Sequence, residues 1–427
     1  MNTLPIVKRG VMKGMRFERD KSISAAVFLY GFFSFIVIFF LVIMLRLFQL
    51  TIVRGDYYKR ISEQNRIREF IIEPKRGEIV DRKGFVIVKN DSPDTQQNES
   101  RLTSHRTYQD PETIAHLIGY RQKADKADFA NDLCLYKLQS RDKVGKKGIE
   151  KLFECTLRGR HGKKLIEVDA KGNSIKTLSL LPPEDGKRVT LAFDSDLQKK
   201  AYELIKDKKA AVVGLKPTTG EVLVFVSSPS FNPQDFEDAN ESVTRQIING
   251  ENKPLFNRAS EGVYPPGSIF KPVVATAALE EKKITVDTLV EDTGQIKAGP
   301  ITFGNWYFLQ YGKTEGMIDV VKAIRRSNDI FFYKTGALVT TAKIKTWAEK
   351  FGFAQKTNIG FEEAEGLVPS EFWKEEVLKD QWYLGDTYNL AIGQGFISVT
   401  PLQVAQATAV FANGGYLCSP QLLKLTT

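Results

Sequence analysis

YPPGSIFKP, from Tyr264 to Pro272, runs straight into Val273, Val274, Ala275, Ala277, Ala278 and Leu279. The small apolar residues after Lys271 read as a buried helix. Pro265 and Pro266 suit the approach to a helix and not its interior. Ser268 and Lys271 lie three apart, one helical turn, so both side chains share a face and can touch. A serine hydroxyl is a weak nucleophile until a base takes its proton, and a buried lysine brought near pKa ~7–8 is such a base. The positive end of the helix favours negative charge developing at the serine. A second Ser-x-x-Lys, Ser140 and Lys143, sits among Arg141, Asp142 and Lys147 with no apolar helix after it, and reads as a solvated surface segment.

Around this stretch the pattern is strands first, then mostly helices. Asp194 and Ser195 cap a helix carrying Leu197, Ala201, Leu204 and Ile205. AAVVGLKPTTGEVLVFVSSPSF, Ala210 to Phe231, reads as two apolar strands joined at Pro217–Gly220. Helices are expected near Thr276–Glu281, Asp319–Arg326, Thr341–Phe351 and Pro401–Ala412. The expectation is an α+β arrangement, an antiparallel sheet flanked by helices. RRSNDIFFYKTG, Arg325 to Gly336, places Ser327 and Asp329 at a helix junction before an apolar run. A hydroxyl and a carboxylate there can relay a proton to a leaving amine; equally, Ser327 or Asp329 can simply cap the helix.

Toward the N-terminus, Ile23 to Leu45 carries no charge and is almost wholly apolar. At 1.5 Å per residue such a helix is about 35 Å long, enough for a hydrocarbon core of ~30 Å. Basic residues crowd the preceding segment (Lys8, Arg9, Lys13, Arg16, Arg19, Lys21), which places that end in the cytoplasm and the remainder outside. Helical periodicity continues to about Arg66. FIIEPKRGEIVDRKGFVIVKN, Phe70 to Asn90, reads as strands with a tight turn at Lys83-Gly84. Arg76, Asp81 and Arg82 are expected to form an ion-pair network pinning that hairpin. DSPDTQQNESRLTS, Asp91 to Ser104, is a polar loop; Glu112–Ile118 is a helix ended by Gly119; GKKGIEKLFECTLRG is a turn and a helix; Leu165–Val168 is a strand turning at Lys171-Gly172. The organisation expected is a basic tail (1–22), a transmembrane helix (23–45), a small, mainly β pedestal (46–188) and a catalytic domain (189–427).

The 427 residues suffice for two or three domains, and 42% hydrophobic content supports packed cores. The net charge of +10 is spread without a basic stripe interleaved with aromatics, so no nucleic-acid partner is expected. Cys134, Cys155 and Cys418 are far apart and odd in number, and the three histidines are scattered. Neither a metal site, a cofactor nor a disulfide framework is expected, and the cysteines read as small buried apolar residues.

PLFNRASEGVYPPGSIFKP (Pro254 to Pro272) resembles the nucleophile motif of class B penicillin-binding proteins, the transpeptidases that cross-link peptidoglycan. RGEIVDRKG, GKKGIEK, SNDIFFY and WYLGDTYNLAIGQGFISVTPLQ (Trp382 to Gln403) resemble the same family, in its order, and cover most of the chain from Arg46 onward. The Ser-x-Asp form and the WYLGDT…GQG stretch look more like its elongation-type member than its division-type one. The resemblance implies a β-lactamase/transpeptidase-like fold and cross-linking of stem peptides through a serine acyl-enzyme, blocked by β-lactams, in cell elongation and shape maintenance. It implies Ser268 as nucleophile, Lys271 as base, Ser327 as proton relay and Asp329 where many relatives have Asn, with the Ser268 amide as one oxyanion donor. Asn328 would contact substrate, and Trp382, Asp386 and Thr387 would either line the cleft or simply pack. Partners implied are a membrane glycan polymerase and other elongation-complex proteins, at the cytoplasmic (inner) membrane. A rival reading is a non-catalytic wall-synthesis scaffold.

Two departures stand out. The family's Lys-Thr/Ser-Gly strand, which binds the substrate carboxylate, is expected beyond the GQG…TPLQ region, and the sequence stops at Thr427 before it, so the catalytic domain reads as C-terminally incomplete. Lys334-Thr335-Gly336 spells the tripeptide inside an expected helix and reads as coincidence. Relatives also carry a long head lobe where Asp91 to Arg106 is short, which implies a minimal pedestal and altered docking to the polymerase.

Overall fold

The computed structural model describes residues 22–90, 101–102, 105–169 and 173–425. The basic tail, nearly all of the polar loop at 91–104 and the turn at Lys171-Gly172 lie outside the described residues. The chain divides into two compact units, Met1–Glu69 with Leu165–Ser179, and Phe70–Lys164 with Leu180–Thr427.

The first unit is built on the helix Ser22–Phe48, continued by a π-helical turn at Gln49–Val53 and the helix Gly55–Arg66. Val27–Val53 is long and apolar enough to cross a membrane, and none of its residues is buried among the described residues. A helix apolar on every side, with no polar face, is what a bilayer solvates and water does not.

In the second unit, the strands Ala210–Leu215 and Val222–Ser228 pair antiparallel from Ala210↔Ser228 to Leu215↔Val222, with a register shift at Gly214/Leu215. Asp194 caps the helix Ser195–Ile205 by accepting from the amides of Asp196 and Leu197, as its sequence position predicts. The strand Val222–Ser228 is buried along nearly its whole length, and Phe225 packs in one core with Ile79, Val88, Leu117, Ile149, Leu157 and Leu402. Pedestal and catalytic segments of this unit therefore share a single hydrophobic core.

The helices are Lys271–Glu280, Val320–Arg326, Asp329–Val339, Thr341–Lys350 and Pro401–Ala412, the last matching its sequence reading at both ends. A second core gathers their apolar faces: Phe270, Val274, Ala277, Ile330, Phe331, Phe332 and Leu390 are all essentially inaccessible. Fully burying such a side chain stabilises the fold by about 1.5–3 kcal/mol. Lys271–Glu280 has Lys271, Val273, Val274, Ala275, Ala277 and Ala278 buried, so the nucleophile segment leads into an element held all round. Lys334-Thr335-Gly336 lies in the helix Asp329–Val339; Thr335 is buried, and a Cβ on Gly336 would meet the Ala391 Cβ at 2.4 Å. That tripeptide is helix packing.

Four expectations are corrected. Cys134 and Cys155 form a disulfide at a sequence separation of 21, and Cys418 stays free. Odd number and wide spacing argue against a framework, but a single bridge needs only two cysteines brought together by the fold. Arg76 does not pin its own hairpin: it is buried against Glu150 and Glu154, both at 2.7 Å. Arg106 binds the other oxygen of Glu150 at 2.8 Å, and Arg158 pairs with Glu154 and Asp132 at 2.9 Å. Asp81 instead takes hydrogen bonds, from the amides of Lys83 and Phe85 and from Ser195 Oγ at 2.6 Å. Lys143, expected in a solvated segment, lies in the strand Lys143–Gly145 and pairs with the buried Glu237 at 3.0 Å. Finally, the cap of the helix Asp329–Val339 is neither Ser327 nor Asp329 but Asn328, whose side chain accepts from the Phe331 amide at 2.9 Å.

Candidate active site

The nucleophile segment is fastened on both sides before its helix begins. Tyr264 exchanges two backbone hydrogen bonds with Val399, each 2.9 Å, and the Gly267 amide donates to Gly393 O at 2.8 Å. Gly267 has φ +61°, a left-handed value that glycine adopts at little cost. Gly267–Phe270 then makes a 3₁₀ turn that passes into the helix at Lys271. Phe270 is fully buried, with its ring edge-on to Phe353 at 5.8 Å, whereas Ser268 is exposed. The anchor residue goes in, so the hydroxyl two positions earlier faces out. Close approach of the GQG segment depends on glycine: a Cβ on Gly393 would lie 2.2 Å from Gly267 O.

Ser327 terminates Val320–Arg326 in a left-handed conformation, φ 51° and ψ 42°. That turn is sterically costly for a residue with a Cβ, by about 1–2 kcal/mol, and it aims Ser327 back at the nucleophile. Ser327 Oγ lies 2.9 Å from Ser268 Oγ and 3.1 Å from Lys271 Nζ. Lys271 also donates to Ser327 O at 2.8 Å and to Asp329 Oδ1 at 2.6 Å, and lies 5.6 Å from the centre of the Phe332 ring.

One expectation is modified here. The same-face spacing of Ser268 and Lys271 predicts direct contact, but among the described residues no hydrogen bond joins the two side chains, and Ser327 bridges them. The 3₁₀ turn at Ser268 departs from α-helical spacing, and Lys271 is drawn toward Asp329.

Lys271 is 2% exposed. Burial pushes its ammonium below the usual lysine range, and the Asp329 carboxylate opposes that without cancelling it. The Asp329 Oδ2 accepts from the Trp306 amide at 3.2 Å, and its own amide donates to Asn305 Oδ1 at 3.2 Å. The arrangement is an exposed hydroxyl linked through a second hydroxyl to a desolvated amine, which can carry a proton in either direction.

Ser268, Lys271, Ser327 and Asp329 are thus brought together. Asn328 is inaccessible, with its side chain hydrogen-bonded to Asp292 and to the Phe331 amide, and Trp382 Nε1 donates to Thr387 Oγ1 at 2.8 Å, with Thr387 itself buried. Asp386 accepts from the Tyr383 amide and from Lys374 Nζ, both at 2.8 Å. It also lines a cavity of about 370 Å³ with Pro300, Ile301, Phe303 and Tyr383. Sequence reasoning missed Asp292, Asn305 and Trp306, which hold the Ser327–Asp329 turn. No local motif marks them, because their partners are 13 to 36 positions away in the chain.

Residues 210–427 match the penicillin binding protein transpeptidase domain, and residues 93–191 the penicillin-binding protein dimerisation domain. The chain is 31% identical to peptidoglycan D,D-transpeptidase MrdA of Escherichia coli K12, over 90% of its own length and 72% of the relative's. Among solved structures it resembles Pseudomonas aeruginosa PBP2 in complex with WCK 5153: TM-score 0.70 and 33% identity, covering 84% of this chain and 73% of that one. It also resembles PBP2 of Helicobacter pylori, solved in complex with MreC: TM-score 0.71 and 26% identity, covering 84% and 78%.

Proposed function

The chain belongs to the penicillin-binding protein transpeptidases and is a serine-type peptidoglycan D,D-transpeptidase of cell-wall synthesis, and we propose that Ser268 is its nucleophile and Lys271 its base. The observation that carries this is the continuous path Ser268 Oγ, Ser327 Oγ, Lys271 Nζ, with links of 2.9 and 3.1 Å. With Lys271 protonated, every donor on that path points toward Ser268. Loss of one proton from Nζ reverses the chain, so that Ser268 donates to Ser327 and Ser327 to the amine.

Ser268 Oγ then attacks the carbonyl carbon of the penultimate D-alanine, and its proton passes through Ser327 to Lys271. The Ser268 amide supplies one donor to the oxyanion, a contact worth about 10²–10³ in rate. Collapse breaks the C–N bond, and the same proton returns through Ser327 to the departing D-alanine amine. A neighbouring stem peptide's amine attacks the acyl-enzyme, its proton leaves by the same route, and Ser268 is regenerated. A β-lactam acylates Ser268 in the same way, but its leaving amine stays tethered. Asp329 holds Lys271 in place, and Asp386 faces a cavity where substrate contact is assigned to it. The expected result with a labelled penicillin is one covalent adduct lost in Ser268→Ala. No adduct, or one that survives the substitution, sinks the assignment.

We assign the transpeptidase domain to 189–427 and the pedestal to 46–188, on a single-pass anchor with its N-terminus cytoplasmic. Two observations support that orientation: the basic residues before the anchor, and the Cys134–Cys155 disulfide, which belongs to an oxidising compartment. The elongation role, with a membrane glycan polymerase and other elongation-complex proteins as partners, is supported by the likeness to PBP2. Co-purification with a polymerase of that kind tests it, and loss of rod shape on depletion is the expected phenotype.

A further inference from the structure

Asp292 ends the strand Val290–Asp292, is 2% exposed, and pairs with no lysine or arginine among the described residues. Its carboxylate instead collects four N–H donors. Oδ2 accepts from Asn305 Nδ2 at 3.0 Å, from Asn328 Nδ2 at 2.9 Å and from the Glu315 amide at 2.9 Å. Oδ1 accepts from the Gly294 amide at 2.9 Å. A buried carboxylate is expensive unless its lone pairs are filled, and here neutral amides fill them.

An ionised carboxylate only accepts, so both asparagines must turn their NH2 groups toward it. That fixes where their oxygens go. Asn305 Oδ1 is left to accept from the Asp329 amide at 3.2 Å, and Asn328 Oδ1 from the Phe331 amide at 2.9 Å. The residue after Asn305, Trp306, gives its amide to Asp329 Oδ2 at 3.2 Å, so Oδ1 is the oxygen left for Lys271 at 2.6 Å. Asn328 lies between Ser327 and Asp329, and its anchoring holds the left-handed turn that aims Ser327.

We propose that Asp292 is the positioning residue of this site: by orienting the amides of Asn305 and Asn328 it sets Ser327 and Asp329 in register with Lys271. This rests on the reading of Lys271 as the base. Asp292 faces only amides. Glu315, whose amide Asp292 accepts, turns its own carboxylate to Arg326 at 2.7 Å and Lys322 at 3.7 Å, and Lys334 donates to Glu291 O. Lys271 faces Asp329, Ser327 and the Phe332 ring, so among the described residues Asp329 is the charged partner through which Asp292 can influence it.

The test uses the full chain in detergent, uniformly labelled at lysine Cε, with the Lys271 carbon titrated by NMR and assigned by Lys271→Ala. Asp292→Asn keeps size and shape but presents an NH2 to at least one of the four donors. Asn305→Ala leaves Asp292 with three donors and removes the acceptor for the Asp329 amide. In both, Asp329 loosens, burial of Lys271 is less opposed, and its titration moves to lower pH. Penicillin acylation falls by about 10²-fold, the cost of a misplacement near ~1 Å. The double variant loses no more than the worse single one. Folded variants with the Lys271 titration at its wild-type position overturn the proposal, whatever their thermal stability. The titration needs no turnover, so failure of acylation at Ser268 sinks the functional reading without erasing this one. If Asp292→Asn fails to fold, the Asn305→Ala titration alone decides.

Discussion

Lys271 Nζ lies 2.6 Å from Asp329 Oδ1, and that pair opposes the burial that lowers the lysine's basicity. Burial disfavours the ammonium, Asp329 favours it, and the net direction is down. Asp329→Asn removes the opposing charge, so Lys271 loses its proton at still lower pH. The base acts when neutral, so the acid limb of the penicillin acylation profile moves to lower pH in the variant. A limb that stays in place, or moves up, shows that Asp329 does not act through Lys271.

Ser327 combines a useful hydroxyl with an unfavourable backbone, φ 51°. Ser327→Gly relieves the turn and is expected to raise stability near neutral pH by about 0.5–1 kcal/mol. The same change cuts the path from Ser268 to Lys271, and acylation is expected to fall by about 10²–10⁴-fold, the usual worth of a positioned proton carrier. Chemical denaturation and stopped-flow labelling read the two effects separately. A variant that is both less stable and fully active contradicts the role given to the hydroxyl.

The parts legible in the sequence were those with short-range causes. The helix Pro401–Ala412 announces itself through Thr400, which caps it, and Pro401 at its first turn. The hairpin around Val222–Ser228 shows in its β-branched runs, and the Ser268–Lys271–Ser327 set shows in spacing and in family likeness. What stayed hidden depends on contacts distant in sequence. Arg76 finds Glu150 and Glu154 far along the chain, at separations of 74 and 78, so its local neighbours Asp81 and Arg82 misled. Cys134 meets Cys155 across 21 positions, in a loop that the Arg158–Asp132 pair also closes. Asp292 reads as one acidic residue in a strand until the fold brings Asn305 and Asn328 to it.

Gly393 is where the GQG segment touches the nucleophile segment, with φ +72° and a Cβ position 2.2 Å from Gly267 O. Gly393→Ala must push Gly267, and with it Ser268, away from Ser327. The expectation is a stability loss of about 1–3 kcal/mol, from the overpacking and the positive φ together, and slower acylation. Gly414 also has positive φ but meets no atom within 4 Å, so Gly414→Ala controls for the backbone effect alone. Equal penicillin labelling rates in the two variants would place the Gly267 contact outside catalysis.

The Cys134–Cys155 bridge joins cysteines at a sequence separation of 21. Closing a loop of that size constrains the unfolded chain by about 3 kcal/mol. Reduction, or Cys134→Ser with Cys155→Ser, is expected to lower the melting temperature while leaving Ser268 labelling below that temperature unchanged. The free thiol at Cys418 provides the count: one alkylated cysteine in the intact protein and three after reduction.

The buried pair of Arg76 and Glu154 sets a pH window for the second unit's stability. Burial alone would raise the Glu154 carboxyl; Arg76, with help from the Gly145 amide and Arg158, overrides it and brings the pKa down to about 2 from an ordinary 4.5. A carboxyl depressed in the folded state adds stability that is complete above pH ~4.5 and disappears as pH falls toward 2. Glu154→Gln removes one partner of a buried pair, so it is expected to cost about 3–5 kcal/mol near neutrality. It is also expected to flatten the loss between pH 4.5 and 2, because no carboxylate remains there to protonate. Urea unfolding at a series of pH values measures both slope and offset. An acid transition of unchanged steepness in Glu154→Gln assigns the proton uptake to Glu237, which Arg121 and Lys143 likewise hold at about 2.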